Sequence, residues 1–154
     1  MEVNKDHPQV DVPIHSESGI FPAYASSGAS GCDLTAGISD PVSLQPLERK
    51  LIPTGIRVEI PRGFEAQIRP RSGLAYRKGL SLPNTPGTID ADYRGEIKVL
   101  VINLSADEIQ INPGERIAQM VFAPVVQANF HPVADESRLN ATVRQEGGFG
   151  STGE

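Results

Sequence analysis

Glycine (15) and proline (13) punctuate this 154-residue chain from end to end instead of collecting in a linker. Together they make up about 18% of it, against roughly 12% in an average protein. Proline removes a helical donor and clashes with the preceding turn, and glycine loses much conformational freedom when ordered. Long helices therefore have little room, and strand–helix alternation of the Rossmann or TIM type is disfavoured. Between these marks most segments alternate with period two, the pattern of strands half buried on a core. Ile56, Val58 and Ile60 alternate with Arg57 and Glu59 before Pro61-Arg62-Gly63. Phe64, Ala66 and Ile68 alternate with Glu65, Gln67 and Arg69 after it, which predicts a hairpin. The β-branched run 97–102 is apolar on nearly both faces and reads as a central strand. Ile109 and Ile111 lead into an Asn112-Pro113-Gly114 turn, and 117–126 supplies a further strand. Helix is predicted only over 73–78, with Ser72 as N-cap, and more weakly over 135–139. The expected fold is all-β, a sandwich or jelly roll of short strands. Tryptophan is absent and aromatics are scarce, so its core is aliphatic.

The length suits one domain. Fourteen Lys/Arg against nineteen Asp/Glu leave a net charge of −5, which argues against a surface built to coat nucleic acid or a membrane. A small polyanion is still compatible, because clustered arginines or a divalent cation reverse the sign locally. The single cysteine excludes an intramolecular disulfide, and beside three widely spaced histidines it disfavours a zinc site. No apolar run approaches the roughly 18 residues of a membrane span, and residues 1–8 form no apolar signal core. A soluble cytoplasmic protein is the expectation.

Several short stretches carry polar groups suited to chemistry, each with a plain alternative. Gly148-Phe149-Gly150-Ser151-Thr152-Gly153 matches GxGxxG formally, but no strand leads into it and no helix follows, so a dinucleotide site is rejected. Asn103-Leu104-Ser105 and Asn140-Ala141-Thr142 fit a glycosylation acceptor by chance. Pro70-Arg71-Ser72-Gly73 offers free N–H groups, a hydroxyl and a cation to one anion, or is an ordinary capped helix start. Gly87 to Gly95 places Asp90, Asp92 and Tyr93 in a tight loop. A carboxylate there can orient and deprotonate a water, or simply favour the turn. Asp33 is open to the same two readings, a working carboxylate or a turn cap, and Cys32 reads as a small core residue. Gly114 to Gln119 alone passes for a turn with a strand behind it. The glycine-rich tail from Arg144 cannot bury a core of its own, and reads as a frayed end or as a flap closing on a ligand.

Taken together, Ala29–Ala36, Pro70–Tyr76, Asn84–Gly95, Gly114–Gln119 and Arg144–Gly153 resemble, in order and spacing, the five signature segments of the trimeric dUTPase family. The resemblance implies a jelly-roll (β-clip) domain over 1–143, a flexible arm over 144–154, and a homotrimer with active sites shared between subunits. It implies hydrolysis of dUTP to dUMP and pyrophosphate, with Asp90 as the base that orients water toward the α-phosphorus. Tyr93 would pack against deoxyribose and exclude a 2′-hydroxyl, a rejection worth about a hundredfold by packing alone. Asn84 would read uracil through its mixed donor and acceptor amide, with Thr88, Ile89 and Lys98 lining the nucleoside pocket. Arg71, Ser72 and Gly73 resemble phosphate binders, with Gln119 contributing from another subunit. Asp33 would act on Mg²⁺ through coordinated water, the triphosphate supplying most of the inner shell. Phe149 would stack on uracil, Arg144 would reach the γ-phosphate, and Gly150, Ser151 and Thr152 would add phosphate contacts. Gln145 stands where relatives often carry glycine. The alternatives are a dCTP deaminase of the same fold and a non-catalytic nucleotide-binding trimer. No nucleic-acid or membrane partner is expected.

Overall fold

The computed structural model describes residues 8–147. The first half of the chain gives β1 (Ile14–Ser16), β2 (Ala23–Tyr24), β3 (Cys32–Thr35), β4 (Val42–Leu44), β5 (Arg49–Pro53), β6 (Ile56–Val58) and β7 (Phe64–Arg69). After α1 (Ser72–Lys78) follow β8 (Leu80–Ser81), β9 (Gly87–Ile89), β10 (Lys98–Asn103), β11 (Ile109–Ile111) and β12 (Arg116–Pro124). A single 3₁₀ turn, Glu136–Arg138, lies beyond, with Asp135 accepting the Ser137 backbone N–H at 2.9 Å. The main sheet is antiparallel, in the order β2-β3-β12-β7-β9. A second sheet runs β5-β10-β8, and β1-β6 and β4-β11 form two small pairs. Most neighbours are distant in sequence, as in a jelly roll, where long connections cross between layers.

The alternation that marks the strands also fills the core. Ile56 and Val58 point inward with Arg57 exposed between them, and Val99, Val101 and Asn103 do the same along β10. Leu34, Leu44, Ile52, Ile97, Ile111 and Ile117 complete an aliphatic interior. Cys32 belongs to this core, its Sγ–H donating to the Met120 carbonyl at 3.4 Å. Burial pushes its thiol up to about 11, helped by the Asp33 charge and opposed by backbone hydrogen bonds. A thiol so placed is a packing group, not a nucleophile. Among the described residues no helix is long and apolar enough to cross a membrane.

Two local expectations are corrected. The turn at 61–63 forms, with Phe64 N–H donating to Pro61 O at 3.2 Å and Gly63 at φ 88°, but its flanking strands do not pair. β6 pairs with β1, while β7 lies between β12 and β9. Alternation fixes which face of a strand is buried and leaves its partner to the tertiary structure. Ser72 is also not the N-cap: that place is taken by Arg71, extended at φ −90° and ψ 121°, with no side-chain capping bond. The Arg71 carbonyl already accepts the N–H groups of Leu74 and Ala75 at 3.0 Å, so the helix begins one residue earlier. Gly79 at φ 69° ends it in the left-handed conformation.

Candidate active site

The main sheet converges on one rung in which Asp33, Gln119 and Arg69 are neighbours on β3, β12 and β7. Just past this rung β7 ends, and Pro70-Arg71 turns the chain into α1. The Gln119 Nε2–H donates to Pro70 O at 2.9 Å, fixing that corner. Gly31 makes room for it: a Cβ there would lie 2.6 Å from the Gln119 side-chain oxygen. At the other end of α1, Lys78 pairs with Glu115 at 2.7 Å, tying the helix to the turn before β12. Burial raises the Glu115 carboxyl, yet the Lys78 ammonium and the Asn112 N–H hold it below its ordinary value on balance.

The depression thus formed, of about 340 Å³, is lined by Gly31, Asp33, Arg71, Ser72, Arg77 and Gln119 among others. Asp33 is its electrostatic hub. Its Oδ1 accepts Arg71 Nε–H at 2.8 Å and its Oδ2 accepts Arg116 Nη1–H at 3.0 Å. Two guanidiniums, of Arg71 and Arg116, therefore hold this one carboxylate, and Arg77 lines the same depression, so the local sign is positive on an acidic protein. Orientation by Asp33 leaves donors on the rigid guanidinium forks for an oxyanion. Arg71, Ser72, Gly73, Gln119 and Asp33 are all brought together within one chain, which corrects the expectation that Gln119 comes from another subunit than Arg71. Arg77 and Arg116 were not singled out in the sequence. Arg77 had a signal, since it lies one helical turn from Gly73; Arg116 had none, because its meeting with Asp33 depends on strand pairing.

The second group lies along the ribbon from 84 to 98. Asn84, Thr88, Asp90, Tyr93 and Lys98 are exposed and Ile89 is half-buried. Asn84 Nδ2 would stand 3.1 Å from a Cβ on Gly87, so the missing side chain lets the amide lie against the strand start. Tyr93 N–H donates to Asp90 O at 3.1 Å, closing the tight turn. Arg94 Nη1–H donates to the carbonyls of Ala91 and Tyr93 at 2.7 and 3.0 Å, bracing the loop. Lys98 makes only a loose pair with Glu96 at 3.9 Å.

The Asn84 end of this ribbon comes close to the pocket, since Thr85 and Pro86 line a depression with Ser72 and Gln119, but the Asp90–Tyr93 turn stands apart from it within the chain. Ile89 pairs with Ala66, so Asp90 lies level with Glu65 near the start of β7, whereas Arg71 follows its far end. Glu65 to Arg69 is four residue steps, about 13 Å in a strand. Arg144 lies elsewhere again, in an exposed turn where its Nε–H donates to Gly147 O at 2.6 Å. Gln145 in that turn has φ 47°, the conformation that favours glycine. Phe149, Gly150, Ser151 and Thr152 fall outside the described residues.

No group of three His, Cys, Asp or Glu side chains suited to a metal occurs among the described residues. Asp33 is the residue expected to act on a divalent cation through water. Both of its oxygens are held by arginines, yet a carboxylate has about four lone-pair positions and can accept further bonds from coordinated waters.

The fold is a jelly-roll class of β protein that sets an arginine-lined pocket at one end of a sheet and a carboxylate–tyrosine loop toward the other, an arrangement suited to a phosphorylated ligand. Comparisons with known proteins narrow the class. The family model described as dUTPase matches residues 17–153. The chain is 57% identical over 137 residues to the deoxyuridine 5'-triphosphate nucleotidohydrolase of Hydrogenobaculum sp. (strain Y04AAS1), covering 89% of this chain and 92% of that one. Among solved structures, the Staphylococcus bacteriophage 80alpha dUTPase with dUPNHPP shares the fold at TM-score 0.83 and 24% identity, covering 95% of this chain and 100% of that one. A mutant dUTPase from phage phi11 of S. aureus, described with a structural Mg(II) ion, aligns at TM-score 0.73 and 23% identity over 82% of this chain and 98% of that one. The protein belongs to the dUTPase family.

Proposed function

We propose that the protein hydrolyses dUTP to dUMP and pyrophosphate, and that it does so at sites assembled between the subunits of a homotrimer. The observation that carries the reading is the arginine-lined pocket around Asp33, combined with the Asp90–Tyr93 loop, in a chain of this family. Arg71, Ser72, Gly73 and Gln119 bind the phosphate chain, and Arg116 and Arg77 add to the positive field. Asn84, Thr88, Ile89 and Lys98 hold the nucleoside, and the Tyr93 ring lies against deoxyribose. Asp90 takes the proton of the water that attacks the α-phosphorus, and pyrophosphate leaves. Because Asp90 and Arg71 stand at opposite ends of β7, one site draws Asp90 from one subunit and the anion pocket from a neighbour. Arg144 comes to the γ-phosphate from the arm over 144–154, which carries Phe149 onto uracil and Gly150, Ser151 and Thr152 onto phosphate.

Asp33 would hold Mg²⁺ through coordinated water, with the triphosphate supplying most of its inner shell, and the ion would supply charge neutralisation at the phosphates. The reaction belongs in the cytoplasm, where it limits uracil incorporation into DNA and supplies dUMP for dTMP synthesis. Pyrophosphate release from dUTP, dCTP, dTTP and UTP, with Mg²⁺ and with a chelator, tests the reading. Mg²⁺-dependent release from dUTP far above the other three is expected. Ammonia released from dCTP would indicate the deaminase chemistry instead, and binding of dUTP without release would indicate a regulatory trimer.

A further inference from the structure

We infer that Gly95 is a specificity-determining position: it is the floor under the Tyr93 ring, and its missing side chain sets where that ring stands against the sugar. The inference rests on the reading of Tyr93 as the wall that meets deoxyribose. A Cβ placed on Gly95 would overlap the Tyr93 hydroxyl and Cζ and come within 2.8 Å of Cε2. The ring therefore lies directly on the backbone. Gly95 is not among the glycines at positive φ, so an alanine there meets a steric obstacle and no backbone strain.

Floor and ring are both held. The Tyr93 hydroxyl donates to the Glu96 carbonyl at 2.9 Å, pinning the far edge of the ring. The Glu96 carboxylate accepts the Gly55 N–H at 2.9 Å. Ile97 is stitched to the same turn, its carbonyl accepting Thr54 Oγ1–H at 2.6 Å and its N–H donating to Ile56 O at 2.8 Å. Tyr93 nevertheless keeps 43% exposure, so one side of the residue is open to a ligand. A ring pressed against a fixed floor cannot retreat from an added hydroxyl, and that stiffness makes it selective. A methyl group on the floor lifts the ring by on the order of 1 Å to restore van der Waals separation. Such a displacement moves the wall and breaks its alignment with the Glu96 carbonyl. Gly95 is thus a positioning residue that acts through Tyr93.

The test is a double-mutant cycle read as the ratio of kcat/KM for dUTP to that for UTP, with thermal unfolding of each variant measured alongside. Gly95→Ala is expected to lower kcat/KM for dUTP by about 10- to 100-fold and the dUTP/UTP ratio by about tenfold, with folding retained. Tyr93→Ala alone lowers the same ratio, and adding Gly95→Ala to it changes nothing further, as for two residues that form one unit. A ratio unmoved by Tyr93→Ala would remove the sugar-wall reading itself. A ratio lowered by Tyr93→Ala and untouched by Gly95→Ala would overturn the inference and leave that reading standing. A further fall when Gly95→Ala is added to Tyr93→Ala would also overturn it, since Gly95 would then act by another route. Should Gly95→Ala alone fail to fold, recovery of folding in the double variant supports the contact, and failure of both contradicts it.

Discussion

Asp90→Asn lowers dUTP turnover by about 10²- to 10⁴-fold, the range of a lost general base, while the nucleotide still binds. The expected effect is large on the rate and small on everything else for structural reasons. The side chain is exposed at the end of β9, and no hydrogen bond or ion pair to it occurs among the described residues. What holds the turn is the Asp90 carbonyl, which accepts the Tyr93 N–H and is untouched by the exchange. Asparagine keeps the shape and one acceptor oxygen but cannot take a proton from water at neutral pH. Stability should therefore stay within about 0.5 kcal/mol of the parent. Pyrophosphate release, equilibrium binding of a non-hydrolysable dUTP analogue and thermal unfolding together check the three parts. Undiminished release would remove Asp90 from the role of base.

The largest effect on stability is expected at a residue far from the chemistry. Asn103 is fully buried at the end of β10. Its Nδ2 donates to Leu44 O at 3.0 Å and Asp107 O at 2.8 Å. Its Oδ1 accepts the Ser105 N–H and Oγ–H, both at 2.8 Å. One side chain thus satisfies groups on the β4 edge and throughout the turn that follows β10. Asn103→Ala strands the buried Leu44 carbonyl, at about 1–3 kcal/mol, empties the space its own side chain filled, and unties a turn whose Ser105 is half-buried and whose Asp107 is exposed. A total loss on the order of 2–4 kcal/mol is expected, a large part of the roughly 5–15 kcal/mol typical of a domain. Denaturant unfolding measures it, and a change below about 1 kcal/mol would contradict the assignment.

Asn103 also shows where sequence reasoning reached and where it stopped. As a tripeptide, Asn103-Leu104-Ser105 reads as a glycosylation acceptor, but period two already places Asn103 on the same face as Val99 and Val101. A polar residue at that beat is a signal for a buried hub, and the tripeptide pattern concealed it. Local chemistry was legible wherever local forces decide. The Asn112-Pro113-Gly114 turn forms with Gly114 at φ 73°, the short helix is present within one residue of its predicted start, and Cys32 is core. Strand partners were not legible, because alternation carries no information on which edge a strand will meet. For that reason the hairpin of β6 with β7 failed, and Arg116 was missed as a partner of Asp33. Gln145 is a different lesson: the family resemblance marks its position as one suited to glycine, and the backbone there has a left-handed φ of 47°. The mismatch between residue and backbone is local, so its place could be read from the chain.

The distance along β7 between Asp90 and Arg71 makes the shared site the central claim, and subunit complementation tests it most directly. Asp90→Asn and Arg71→Ala chains, each nearly inactive alone, are unfolded together and refolded as a 1:1 mixture. An Arg71→Ala chain still supplies Asp90, and an Asp90→Asn neighbour still supplies the arginine pocket. Random assembly would then rebuild about one site in four with every group intact. Recovery of about a quarter of the parental pyrophosphate release is predicted. Release no greater than the sum of the two variants refolded separately would place Asp90 and Arg71 of each working site in one chain, and would contradict the account.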